Sequence, residues 1–154
     1  MKYYIGEYWA MANSTDSKTR EEGKLKWNET AKEYAHYFES VKRKLPKKFL
    51  NEFDKNNWFH DFYFESIVVS NINKYESVVE FVITLNDVSY KITLKGVNGL
   101  TLDIPQTKNW MMGKLTWGYN EFELNDNNSW VIRILCDFCC EIEVLFKQIE
   151  ITKA

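Results

Sequence analysis

From Trp27 the apolar residues recur at alternating intervals of four and three: Trp27, Ala31, Tyr34, Phe38, Val41 and Leu45. That spacing keeps all six on one stripe of an α-helix, and Pro46, which cannot continue the hydrogen-bond ladder, ends it. Upstream, Thr19 and Glu22 open the helix as "TREE". They predict a capping box, in which each side chain satisfies the other's backbone donor. Gly23 weakens the first turn, so the helix is expected to start effectively nearer Lys24. Pro46 suits the first position of a second, short helix, "PKKFLNEFDKN", which would place Phe49, Leu50 and Phe53 on one face.

After Asn57 the period changes from helical to alternating. Val79, Phe81, Ile83 and Leu85 alternate with Glu80, Val82 and Thr84. Asn86-Asp87 then offers a two-residue turn, and Val88, Tyr90, Ile92 and Leu94 return as the partner strand. Gly96 and Gly99 frame a turn into "LTLDI", which Pro105 closes, and "QTKNWMMG" reads as a loop. Leu115, Trp117 and Tyr119 start a strand expected to bulge near Gly118, because Phe122 and Leu124 resume on the other parity. "NDNN" predicts a tight turn into "WVIRIL", and a last strand carries Ile142, Val144 and Phe146 inward with Ile149 and Ile151 continuing it. The short turns favour antiparallel pairing, since parallel strands need long crossovers. The expectation is one α+β domain over 1–154, with helices at about 19–57 packed on a curved, mainly antiparallel sheet of roughly seven strands at about 58–152.

At 154 residues, 45% hydrophobic and 16% aromatic, the chain suits one large, ring-rich core. A net charge of -2 supplies no field that would collect phosphates, so no nucleic-acid partner is expected. The N-terminal "MKYYIGEYWAMANSTDSK" lacks a continuous apolar segment, so neither a signal peptide nor a membrane span is expected, and the protein is placed in the cytoplasm. Cys136, Cys139 and Cys140 crowd into "CDFCC". Their C-x-x-C lacks the second ligand pair that zinc needs, and they read as small thiols buried in a β segment.

The most aromatic stretch, "WFHDFYFESI", holds His60 beside Asp61. Read as a strand, it sends the two side chains to opposite faces, His60 with Phe62, Phe64 and Val68, and Asp61 with Tyr63 and Glu65. They would then mark a structural corner, with His60 also a candidate binding group because its charge can change near neutral pH. The other histidine, His36, falls on the polar side of the long helix. Glu121 with Glu123, and Glu141 with Glu143, are expected on a solvent face. "KRKLPKK" sits where cations offset the negative end of the helix dipole. Trp110, flanked by Met111 and Met112, reads as an adhesive surface loop suited to a protein interface. No nucleophile elbow or phosphate loop occurs. Hence no catalytic set, metal or cofactor is expected.

The order of these features, "YYIGEYW", a helix, a proline-led short helix, "FHDFYFESI" and a meander ending in "CEIEVLFKQIEI", resembles small bacterial domains of unknown function. In these a hydrophobic-His-Asp triplet opens the first strand of an antiparallel sheet, and several of the families are similar to immunity proteins of bacterial toxin systems. Phe59 stands where the more common form has Leu. The resemblance implies a non-enzymatic, cytoplasmic binding protein that neutralises a toxin-like partner, with His60, Asp61, Trp110, Met111 and Met112 as candidate contacts. The competing expectation is a small-molecule-binding protein or hydrolase with a cavity beside His60, Tyr63 and Glu65.

Overall fold

The computed structural model describes residues 1–103, 115–137 and 140–154. Three α-helices come first, α1 (Gly6–Ala12), α2 (Ser17–Val41) and α3 (Lys47–Lys55). Eight strands follow among the described residues: β1 (Tyr63–Asn73), β2 (Glu76–Leu85), β3 (Val88–Lys95), β4 (Gly99–Asp103), β5 (Trp117–Leu124), β6 (Trp130–Cys136), β7 (Glu141–Phe146) and β8 (Gln148–Lys153). The α+β class is as expected; the single sheet is not. The strands form two four-stranded antiparallel sheets, ordered β1-β2-β3-β8 and β4-β7-β6-β5.

The long helix forms along the apolar stripe, burying Tyr34 and Phe38, with Leu45 buried just beyond its end. Its start differs from the expected capping box. Asp16 is the N-cap, its carboxylate accepting from the Thr19 amide at 2.8 Å, and Glu22 is instead drawn to Lys26 one turn on, at 2.7 Å. A carboxylate at the cap satisfies an orphan amide and meets the positive helix end as well. Gly23 lies inside α2, where the unexpected helix α1 crosses it. A Cβ there would stand 2.4 Å from the Ala12 backbone nitrogen, so the residue is a point of close approach and not a weak start.

The expected last strand is two strands. β7 belongs to one sheet and β8 to the other, with only Lys147 between them. β3 and β4 make the same crossing alongside, where Gly96 has φ +63° and Lys147 N–H donates to the Lys95 carbonyl at 2.9 Å. A bent two-stranded ribbon, β3-β4 against β8-β7, thus forms one seam between the sheets. The second seam is hydrogen-bonded: Phe64 N–H donates to the Leu115 carbonyl (2.8 Å) and Asp61 N–H to the Trp117 carbonyl (2.9 Å). At Gly118 the ladder with β6 slips, Trp117 pairing with Cys136 and Tyr119 with Leu135. This is the expected bulge, and a Cβ on Gly118 would lie 2.6 Å from the Leu135 carbonyl oxygen.

Both sheets and the helices share one buried cluster. Phe81, Ile92 and Ile151 come from the first sheet, Phe122, Ile132 and Val144 from the second, and Tyr34, Phe49 and Phe53 from the helices. Phe53 has ring contacts with Phe38, Phe49, Trp58, Phe59 and Phe122 at centroid distances of 5.3–6.2 Å. Full burial of one such ring contributes about 2–3 kcal/mol. α2 also closes the open edge of β5: the Tyr34 hydroxyl accepts from Phe122 N–H at 2.8 Å, and the Tyr37 hydroxyl from Leu124 N–H at 2.9 Å. An edge that would otherwise offer free amides is covered this way.

Candidate functional site

His60 and Asp61 do not lie on a strand; β1 begins at Tyr63. They sit in a tight reversal in which Asn57, Trp58, Phe59 and Asp61 all have positive φ (49°, 59°, 60° and 73°). Left-handed backbone costs a non-glycine residue about 1–2 kcal/mol, so a run of this kind persists only where packing over-determines it. Here the surroundings do so. Phe59 is fully buried, Trp58 stacks on Phe53 at 5.6 Å, and Asn120 Nδ2 donates to the Trp58 carbonyl at 3.0 Å.

The consequence corrects the expectation that the two side chains point apart. His60 Nδ1 stands 3.0 Å from Asp61 Oδ1, an ion pair whenever the ring is protonated. The imidazole meets the Tyr119 ring edge-on at 5.0 Å. Burial, and after it the Asp61 charge, raise the Tyr119 pKa. Two small cavities flank the imidazole. One, of about 130 Å³, is lined by residues including Trp9, Asp61, Thr116 and Cys136. The other, of about 150 Å³, is lined by residues including Tyr4, Trp58 and Asn120. Asn120 is buried, and its Oδ1 has no hydrogen-bond partner among the described residues. Both cavities fall short of the roughly 300–1,000 Å³ of small-molecule sites.

The expected solvent-facing carboxylates are largely occupied by their own chain. Glu121 is buried, and its carboxylate accepts from the backbone amides of Lys2, Tyr3 and Tyr4 at 2.6–3.1 Å. Glu123 and Glu143 grip Arg133 from either side at 2.6 and 2.7 Å. The hydrogen bond from Arg133 holds Glu123 below the usual carboxylate range. Glu141 lies 2.9 Å from the Met1 amino group. Cys136 and Cys140 are buried, as expected for thiols of a β segment. A hydrogen bond to the Cys140 sulfur, then burial, push the Cys136 thiol up, which keeps it protonated and unreactive. Among the described residues no group of three or more His, Cys, Asp or Glu could hold a metal ion. Trp110, Met111, Met112 and Cys139 lie outside the described residues. His36 is exposed, as its position on the polar side of α2 implied.

One surface was missed by the reading from sequence. β1 stands at the end of its sheet, and in its distal half Val68, Val69 and Ile72 are 42%, 54% and 60% exposed, with Tyr75 at the hairpin tip 88% exposed. A register shift between Phe64 and Ser66 resets the parity, so that Phe64 pairs with the core residue Ile83 while Val68 pairs with Glu80. Val68 therefore does not share the inward face of Phe64. The adjacent Val68-Val69 pair was the available signal, because two neighbouring apolar residues on a strand cannot both face one core.

No helix among the described residues is long and apolar enough to cross a membrane. In comparison with known proteins, no family model matches the chain and no curated protein matches it.

Proposed function

We propose that this chain is a protein-binding domain, and that its contact surface is the outer edge of the distal half of β1. The observation that carries this reading is an exposed edge strand that no other element covers among the described residues. Over Ser66–Asn73 the strand has no charged residue and no proline, and among the described residues it pairs with β2 alone. Natural sheets normally blunt such an edge with lysine, proline or a covering element, as α2 does for β5 here. A partner strand laid along β1 would take main-chain hydrogen bonds from the open ladder and cover Val68, Val69 and Ile72.

A toxin-neutralising role of the immunity type, exercised in the cytoplasm, is the form of this reading that the sequence resemblance favours. Glu121, Glu123 and Glu143 are not part of that surface, being already held by amides and by Arg133. A hydrolase or ligand site beside His60 is the weaker reading, given the small cavities there.

The test is capture from a lysate of the source cell by tagged wild type and by Val69→Lys/Ile72→Lys, read by mass spectrometry and by hydrogen exchange on the isolated complex. The expected result is a stoichiometric partner lost in the variant, with new protection over residues 66–73. Equal capture by both proteins, or protection only elsewhere, would overturn the assignment of the surface.

A further inference from the structure

The hydrogen-bonding phase of the β1 edge can be read from its ladder. In an antiparallel sheet successive residues direct their N–H and C=O groups alternately to the neighbour on one side and on the other. The Ser77 carbonyl accepts from Val97 N–H at 3.1 Å, on the side of β2 that faces β3. Ser77 therefore turns its polar groups away from β1, and Asn71, which pairs with it, turns its own away from β2. The register is unbroken from Ser66 to Asn71, so Ile67, Val69 and Asn71 all direct N–H and C=O to the open side. The open length ends at Phe64, whose amide already donates to Leu115.

Charge sets a second constraint. The uncharged run Ser66–Asn73 is bracketed by residues of opposite sign, Glu65 before it and Lys74 after it, both exposed. A strand laid antiparallel on this edge fits best if it brings a cation to Glu65 and an anion to Lys74. The same sequence reversed does so. With Ser70 opposite Ser70 at a two-fold axis, Val69 and Asn71 of one copy face Asn71 and Val69 of the other. Each of these pairs joins residues whose polar groups point across the gap, and it can exchange both N–H···O bonds. Val68 comes opposite Ile72 of the second copy, so apolar side chains that are 42% and 60% exposed cover one another. Lys74 of the second copy comes opposite Ser66, beside Glu65, and the arrangement repeats at the other end. In this register the turn at Lys74-Tyr75 stops short of Phe64 and leaves its bond to Leu115 intact.

We infer that the occupant of this edge is a second copy of the chain, the two pairing along β1 in a reversible two-fold dimer. Their four-stranded sheets then run on as one, from β8 of one copy through the two β1 strands to β8 of the other. The inference rests on the reading of the β1 edge as a contact surface and names what covers it when no other protein does. A two-fold contact of this kind closes at two copies, because each uses the same patch. It involves few residues and so belongs with weak, exchanging interfaces, from which a strand of another protein can displace the copy.

The experiment is sedimentation equilibrium of the full chain over a wide range of concentration, with hydrogen exchange on dilute and concentrated samples. The expected result is a monomer–dimer equilibrium, with protection over residues 67–71 that grows with concentration. Val68→Lys/Ile72→Lys should weaken association about tenfold, since edge lysines oppose strand pairing. Glu65→Lys and Lys74→Glu should each weaken it about threefold by setting like charges together at both ends. Glu65→Lys/Lys74→Glu should restore wild-type association, which a folding defect in either single variant could not mimic. A chain that stays monomeric, a dimer indifferent to the lysine substitutions, or a double exchange no better than the single ones would each overturn the dimer. If a monomeric chain still captures a different protein with protection over residues 66–73, the dimer falls and the β1 contact surface stands. Protection of this segment in neither experiment would overturn both.

Discussion

The two halves of β1 both carry large apolar side chains and have opposite fates. In "YFESI" Phe64 lies 5.5 Å from both Phe81 and Trp117, and the backbone is bonded on both edges, to β2 and to the segment that opens β5. In "VVSNIN" the strand has β2 on one side alone among the described residues, and its valines and isoleucine face water. Local propensity favours a strand in both halves, through Tyr63, Phe64 and Ile67 in the first and Val68, Val69 and Ile72 in the second. The difference is one of neighbours: the proximal half enters the corner where the helices and both sheets meet, and the distal half extends past it. Apolar residues in the first half hold the fold together, whereas in the second they are available to another molecule.

This contrast can be broken at several points. The largest effect is expected at the corner itself. Trp117 is fully buried and stacks on Phe64, so Trp117→Ala should cost about 3–5 kcal/mol, read as a fall in the urea midpoint. Next comes the covered edge of β5. Tyr34→Phe removes the hydroxyl that accepts from the buried Phe122 amide, and an orphaned donor of this kind costs about 1–3 kcal/mol, read as a smaller fall in the same urea midpoint.

Alkaline pH probes the same aromatic layer through Tyr4. Burial first, then the Glu121 charge, push its pKa up from 10.0 to about 12. Because the folded state holds this proton more tightly than the unfolded chain, the associated stability is complete below pH 10 and is lost as pH rises toward 12. Melting temperature should decline over that window, and less steeply in Tyr4→Phe. The smallest effect on stability is expected at the distal half of β1. Val69→Lys should shift stability by no more than about 0.5 kcal/mol while abolishing partner capture. A large destabilisation at Val69 would show that the two halves are not separable.

Much of this architecture was legible from spacing. The helix stripe ending near Leu45, the Asn86-Asp87 hairpin turn, the turn at Asn125–Asn128 and the bulge at Gly118 each follow from local period or parity. The same parity rule, applied between Phe146 and Ile149, marks the bend at Lys147 that divides the expected last strand. The conformation at His60-Asp61 was less accessible. An aromatic run favours strand, and it takes the rings packed around Phe59 together with the hydrogen bond from Asn120 to the Trp58 carbonyl to hold Trp58 and Phe59 in left-handed backbone.

By itself, then, the sequence determined the class of fold, the succession of helices and then strands, and most of the turns, because these depend on residues a few positions apart. Tertiary structure decided what the functional candidates do. Glu121 is buried because the amides of Lys2, Tyr3 and Tyr4, more than a hundred residues away in the chain, converge on it. Val69 is exposed because β1 outruns the elements that cover its beginning. Such meetings follow from long-range packing, and no local period encodes them.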